Sequence, residues 1–254
     1  PVTGCIAYLG FYAEKDARAY ADQLRQTNMD VAVVGVPAYS TLGFTADPLL
    51  NTFVYLPAGE LARMIFHELA HQVLYVRDDT QFNESFASTV EELGVERWLA
   101  AKNSSELTAS YFTFDAKRKA FRALLAQART SLQSIYENQA LSRVEKLAMK
   151  QARIESLQRD YAALKESWDG WGGFDAYMSN DLNNAKLGIA GLYDDYVPAF
   201  RMLFERCGSS FPAFYEAARH LGDQGSVARG LFGKGDPSFQ VGCPSSNMMK
   251  LNGS

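Results

Sequence analysis

Apolar and polar positions change their rhythm several times along this chain. Cys5 to Phe11 is a short, nearly continuous apolar run, the pattern of a buried strand, and Ala13 to Gln26 then spaces its apolar residues as an amphipathic helix does. Val31 to Val36 is a β-branched run and Thr52 to Leu56 another short apolar segment, so the first third predicts mixed strand and helix. Pro57 stands where the first turn of a helix accepts proline. Ala58 to Val76 follows with Leu61, Ile65, Leu69 and Val73 at four-residue steps, which predicts a helix. The polar stretch Arg77-Asp78-Asp79-Thr80 breaks it. Phe82 to Ala101 is helical again, with Glu91 and Glu92 inside an otherwise apolar pattern, and the short loop makes the two helices antiparallel neighbours.

From Phe114 to Trp168 the chain turns to Ala, Leu, Lys, Arg, Gln and Glu, with an interruption near Asn138, and predicts a long helical hairpin. Sustained heptads are not clear, so the hairpin reads as a structural or lid-forming extension rather than a coiled-coil partner site. Asp169 to Gly173 is a turn, Asn183 to Glu205 and Ser210 to Leu221 look helical, and the tail after Gly222 looks irregular. The expected organisation is an α/β core over 1–110 that holds the chemistry, the hairpin over 111–170, and a helical C-terminal part over 171–254 that completes a cleft. No internal repeat is seen.

Composition excludes more than it assigns. The chain has 254 residues, 47% of them apolar, with a net charge of −4 and no Lys/Arg-rich run, so neither nucleic acid nor an anionic membrane is an expected partner. No apolar stretch approaches the roughly 20 residues that span a bilayer. Val2-Thr3-Gly4-Cys5 has the outline of a lipoprotein cleavage box without an apolar run before it, and the chain reads as a processed product. Cys5, Cys207 and Cys243 are far apart and form no CxxC pair, which argues against a cysteine-based metal site. In an exported protein Cys207 and Cys243 would be free to pair.

The chemistry concentrates in the two antiparallel helices. His67-Glu68-Leu69-Ala70-His71 puts two of the chain's three histidines one helical turn apart on one face, a spacing at which both reach a single zinc ion. Glu68 beside them suits a base that takes a proton from metal-bound water and passes it to a leaving amine. A catalytic zinc needs a third protein ligand and an open position. Twelve residues separate His71 from Glu84, enough for the chain to reverse and bring Glu84 level with His71. Glu91 would sit two turns further along, about 10 Å, nearer the level of His67, so Glu91 or Glu92 stays as the alternative ligand. Two histidines and a glutamate in an apolar helix are costly to bury without partners, and a metal is such a partner.

The pair His67-Glu68-Leu69-Ala70-His71 and Asn83-Glu84-Ser85-Phe86-Ala87 resembles the gluzincin metallopeptidases, in which an HExxH helix is followed by a helix carrying an Asn-Glu-x-x-Ala type ligand segment. Aminopeptidase N relatives carry a closely similar segment. The wider stretch of Ala38 to Gly43, Asp47 to Leu50, Phe66 to Gln72 and Phe82 to Ala87 resembles a bacterial family called putative aminopeptidases. Asn183-Asn184-Ala185, Tyr193 and Val197 to Phe200 match it more loosely. The resemblance implies zinc held by His67, His71 and Glu84, with Glu68 as general base. It implies an α+β fold with a gluzincin-like core: a small β-sheet, the HExxH helix and an antiparallel ligand helix, joined by the hairpin and further C-terminal helices. It also implies an exported, periplasmic or envelope-associated protein with a lipid anchor upstream of this chain. Two departures stand out. The twelve-residue spacer is shorter than in aminopeptidase N relatives, and the Gly-x-Met-Glu-Asn segment that captures the substrate's free amine there is missing.

A peptidase must also stabilise an oxyanion. Tyr193, beside Asn184 on an expected helix, is the candidate, as a downstream tyrosine does this in aminopeptidase N relatives; Tyr196 and His220 are alternatives. Extended peptide would add as a strand to an edge formed by Tyr39 to Phe44 or Thr52 to Leu56, which makes Tyr39 a substrate contact and Asp47 an attractor for an amine. Asp194-Asp195 would bind an N-terminal ammonium or simply be a solvated face. The leading expectation is a zinc aminopeptidase acting on peptides. The rivals are an endopeptidase with an open groove and a metal-stabilised peptide-binding scaffold, against which the intact Glu68 argues.

Overall fold

The computed structural model describes residues 9–35, 50–179, 181–192, 195–237, 239 and 241–243, and among them every regular element is an α-helix. In chain order these are α1 (Glu14–Arg25), α2 (Ala58–Val73), α3 (Thr80–Lys102), α4 (Ser105–Glu137), α5 (Arg143–Glu166), α6 (Asn184–Leu192), α7 (Val197–Arg206), α8 (Phe211–Gly222) and α9 (Ser226–Gly233). The expected α+β core is thereby corrected: the described residues contain no strand and no sheet.

The reason lies in where the backbone groups of the apolar runs find partners. A strand needs a ladder, and the carbonyl of Val31 is instead taken by side chains, accepting from Asn183 Nδ2 at 3.0 Å and from Arg25 Nη2 at 3.5 Å. Thr52 to Leu56 curls into turns: the amides of Phe53 and Val54 both donate to the carbonyl of Leu50, and that of Leu56 to Phe53. Most of Cys5 to Phe11 and all of Tyr39 to Phe44 lie outside the described residues.

Two further expectations change. The helical stretch from Asn183 to Glu205 is divided into α6 and α7, and Pro198 in the first turn of α7 marks a fresh start that a continuing helix would not tolerate. The tail after Gly222 is not wholly irregular, because α9 forms there in spite of Gly230 and Gly233, with Phe232 buried.

The chain divides into two compact units, residues 1–35 with 112–191, and residues 36–111 with 192–254. In the first, Phe121, Leu125, Ala128 and Leu132 of α4 pack with Ile154, Leu157 and Tyr161 of α5, and Phe174 stacks flat on Phe121 with centroids 4.2 Å apart. Ser142 starts α5 with a reciprocal pair of hydrogen bonds to Glu145.

The second unit is built round α3. Every residue from Phe82 to Glu91 is buried, so α3 has no solvent face over that stretch, and its small residues Ser85, Ala87, Ser88 and Thr89 let neighbours approach closely. Phe86 lies edge-on to Phe200 of α7 and stacks on Phe214 of α8, in a core shared with Leu203, Leu221 and Phe232. On another side α2 crosses α3 so closely that a Cβ at Gly94 would come within 2.9 Å of the Phe66 ring. The stripe of Leu61, Ile65, Leu69 and Val73 is not the buried face of α2; Leu69 is 47% exposed, and Ala62, His67, Ala70 and His71 are inside.

Cys207, at the end of α7, is joined by a disulfide to Cys243, closing a loop with a sequence separation of 36 that contains α8 and α9. Loop-closure entropy makes such a bond worth about 4 kcal/mol. Reduction, or Cys207→Ser with Cys243→Ser, is expected to lower the thermal midpoint by about 8–15 °C; equal midpoints with and without reductant would show that the loop is already held by its packing.

Candidate metal centre

His67 and His71 sit one turn apart on the inner face of α2, and Glu84 comes from the start of α3, whose first turn is capped by Asp79 accepting from the amide of Phe82 at 3.1 Å. The two helices meet so that the Glu84 carboxylate faces both imidazoles: Oε2 lies 3.2 Å from His67 Nε2 and 3.8 Å from His71 Nε2. Ligand atoms of the three side chains all lie within 4.8 Å of one another. The rings stand nearly perpendicular, with centroids 5.0 Å apart.

This group could hold a metal ion. In a tetrahedral zinc site with bonds of about 2.0–2.1 Å, neighbouring ligand atoms are about 3.3 Å apart, and the two measured separations bracket that value. All three residues are less than a tenth exposed, which two imidazoles and a carboxylate tolerate only with partners. Burial opposes charge on His67, but its hydrogen bonds to Glu84 and Glu91 and the field of both carboxylates outweigh that and raise its pKa to about 9. Burial, and then the positive His67 beside it, lower His71 to about 4.

Glu91, weighed in the sequence as an alternative ligand, stands on the other side of His67. Its Oε2 is 2.9 Å from Nδ1, and its Oε1 is 2.6 Å from Arg63 Nη2, one turn before His67 on α2. With Nδ1–H donating to Glu91, a metal that displaced the proton from Nε2 would meet its lone pair in the space shared with His71 and Glu84, so Glu91 would fix the tautomer a ligand needs. Glu92 turns away, accepting from Arg201 Nη1 of α7 at 2.8 Å. The signal for Glu91 and Arg63 was in the spacing: Glu91 lies two turns after Glu84 and Arg63 one turn before His67, each on the same face as its neighbour. Glu91→Gln is expected to weaken metal binding about tenfold, the lower end of the range for outer-sphere carboxylates, measured by competition with a chromophoric chelator. An unchanged affinity would reduce Glu91 to a packing partner.

Glu68 is half-buried on α2, next to His67. The other candidates among the described residues make their contacts elsewhere. Asn184 belongs to the first unit, where its amide donates to the Tyr136 hydroxyl at 2.8 Å and its backbone N–H to Asp30. His220 is exposed on the last turn of α8. Tyr196 is half-buried, its ring packed where a Cβ on Gly233 would fall. Tyr39, Asp47, Tyr193 and Asp194 lie outside the described residues. Asp195 and Tyr196, however, are tied to α3 on either side of Glu84: Gln81 Nε2 donates to Asp195 at 2.8 Å, and the Tyr196 amide donates to the Ser85 hydroxyl at 3.3 Å.

A family model described as "Putative aminopeptidase" matches residues 1–230. No curated protein matches the chain, and no solved structure does.

Proposed function

This chain belongs to the putative aminopeptidase family, and from that premise we propose that it is a zinc-dependent peptidase that removes N-terminal residues from peptides. The observation that carries the reading is the convergence of His67, His71 and Glu84 from two antiparallel helices on one ion-sized space. Those three would hold the ion. When bound, it supplies a Lewis-acidic centre and lowers the pKa of water towards 7. Glu68 would serve as the general base that takes a proton from water during attack on the peptide carbonyl, and as the acid that returns it to the leaving amine. Glu91 and Arg63 keep His67 turned inwards through the cycle.

The donor for the developing oxyanion is proposed to be Tyr193, since the residues that follow it, Asp195 and Tyr196, are anchored on α3 beside Glu84. Tyr39, within the stretch that resembles the family, is proposed as a substrate contact. The protein is proposed to work in an exported compartment, a reading the Cys207–Cys243 disulfide supports, since such bonds persist where the environment is oxidising. Among the described residues no helix is long and apolar enough to cross a membrane.

The test is metal content of the purified chain by mass spectrometry, beside hydrolysis of peptides with free and acetylated N-termini. About one zinc per chain and cleavage of the free peptides alone is the expected result. Cleavage of acetylated peptides would make it an endopeptidase, and a chain without metal would sink the proposal.

A further inference from the structure

Glu84 owes its place to the turn that reverses the chain between α2 and α3, and that turn is held at a residue with no metal-binding chemistry of its own. Asn83 is 2% exposed. Its Oδ1 accepts from the backbone N–H of Val76 at 2.7 Å and its Nδ2 donates to the carbonyl of the same residue at 2.7 Å. The side-chain amide thus pairs with one backbone residue as a neighbouring strand would, closing residues 76 to 83 into a loop. Seen from the loop, a backbone N–H and C=O outside any helix are both met by a single side chain, and the carbonyl accepts also from the Asp79 amide at 3.3 Å.

A second grip acts on the same turn. Asp79 caps α3 through the Phe82 amide, and its other oxygen accepts from Arg229 Nε at 2.6 Å. Arg229 is itself buried on α9 and donates to the carbonyls of Gly222 and Gln224. The start of α3 is therefore fixed from inside the turn by Asn83 and from outside by Arg229. Asp78, between Val76 and Asp79, adopts a φ of 61°, in the left-handed region.

We propose that Asn83 is a positioning residue for the metal centre: its amide, closed on the backbone of Val76, sets the point at which α3 begins and so keeps the Glu84 carboxylate opposite His67 and His71. The inference rests on the metal-site reading above. Asn83 precedes Glu84 directly, so any shift of the α3 start translates or rotates the carboxylate, and a rotation of one residue, about 100° at 3.6 residues per turn, would carry it off the shared space. The amide is the side chain that suits this position. Aspartate keeps the acceptor but sets an oxygen against the Val76 carbonyl, and serine is too short to reach both groups.

The experiment compares the full-length parent with Asn83→Asp, Asn83→Ser and Leu157→Ala. Leu157 is fully buried in the core of the first unit, so its truncation lowers stability without touching the α2–α3 turn. Zinc affinity is read by chelator competition, and ligand geometry by the visible absorption of the cobalt-loaded proteins, with circular dichroism fixing a temperature at which each is folded. Both Asn83 variants are expected to bind zinc about 10–100-fold more weakly, as outer-sphere changes do, and to alter the cobalt bands, while Leu157→Ala keeps the parental values. If Asn83→Asp does not fold, Asn83→Ser decides. Parental affinity and bands in a folded Asn83 variant would overturn the proposal, as would an equal loss in Leu157→Ala. A parent that binds neither ion would instead remove the metal site itself.

Discussion

Glu68→Gln is expected to lower peptide cleavage by about 10²–10⁴-fold, the usual contribution of a positioned acid–base group, while the protein retains the zinc content of the parent. Labour is divided along α2. His67 and His71 face the shared space with Glu84, and Glu68 is not among the converging ligands, so its amide analogue leaves the donor set intact. Glutamine keeps the size and the acceptor oxygen of the side chain but cannot take a proton near neutral pH. Cleavage of free peptides and zinc content, measured on one preparation, separate the two functions. Loss of both would make Glu68 part of the metal's support, and retention of both would require another base.

The second large effect is expected at Glu84. Glu84→Ala leaves two imidazoles where a protein zinc site uses three or four ligands, so the loss in zinc affinity is expected to exceed the roughly tenfold change at Glu91, which would act through His67 rather than as a ligand. The gap can be read thermodynamically. An ion at about 100 times its Kd raises the stability of the folded state by about 2.7 kcal/mol. Titrating zinc should therefore shift the thermal midpoint of the parent upwards, shift that of Glu91→Gln at higher zinc concentrations, and leave Glu84→Ala unmoved. A normal shift in Glu84→Ala together with none in Glu91→Gln would exchange the two carboxylates' roles and bring back the alternative ligand that the spacing left open.

The convergence of His67, His71 and Glu84 was more legible in the sequence than the fold around it. The spacing of His67 and His71 within one helix, and the twelve residues before Glu84, depend only on helical periodicity and chain reversal, which are local. The spans of α2 and α3 follow the same local rules, with Pro57 before one helix and Asp79 before the other. What escaped were properties fixed by partners distant in sequence. Val31 to Val36 has the composition of a strand, yet Asn183, from far along the chain, takes the Val31 carbonyl, and no pattern within the run reveals that. The apolar stripe of α2 pointed to the wrong face, because the interior against α3 is filled by small residues and the histidines, while Leu69 is left outside. Glu91 was noticed as an acid and assigned by height along the helix; that Arg63 would pair with it needed the register between helices. Asn83 stood out as the first residue of the Asn-Glu-x-x-Ala segment, but its work on the turn did not, since its partner is a backbone group.

The burial of α3 from Phe82 to Glu91 and the tight crossing at Gly94 also bear on how such a chain can change over generations. A helix with one wet face drifts freely along that face, but α3 has none over this stretch, so each substitution there is judged by whatever packs against it. The room at position 94 and the ring at position 66 are a single shared volume. A lineage that enlarges one must shrink the other, and because residue 66 adjoins His67, that exchange is written next to the candidate metal centre. Variation in α3 is accordingly expected to come as paired changes with α2 and α7 rather than as single ones, which makes covariation between these helices an independent record of the packing described above.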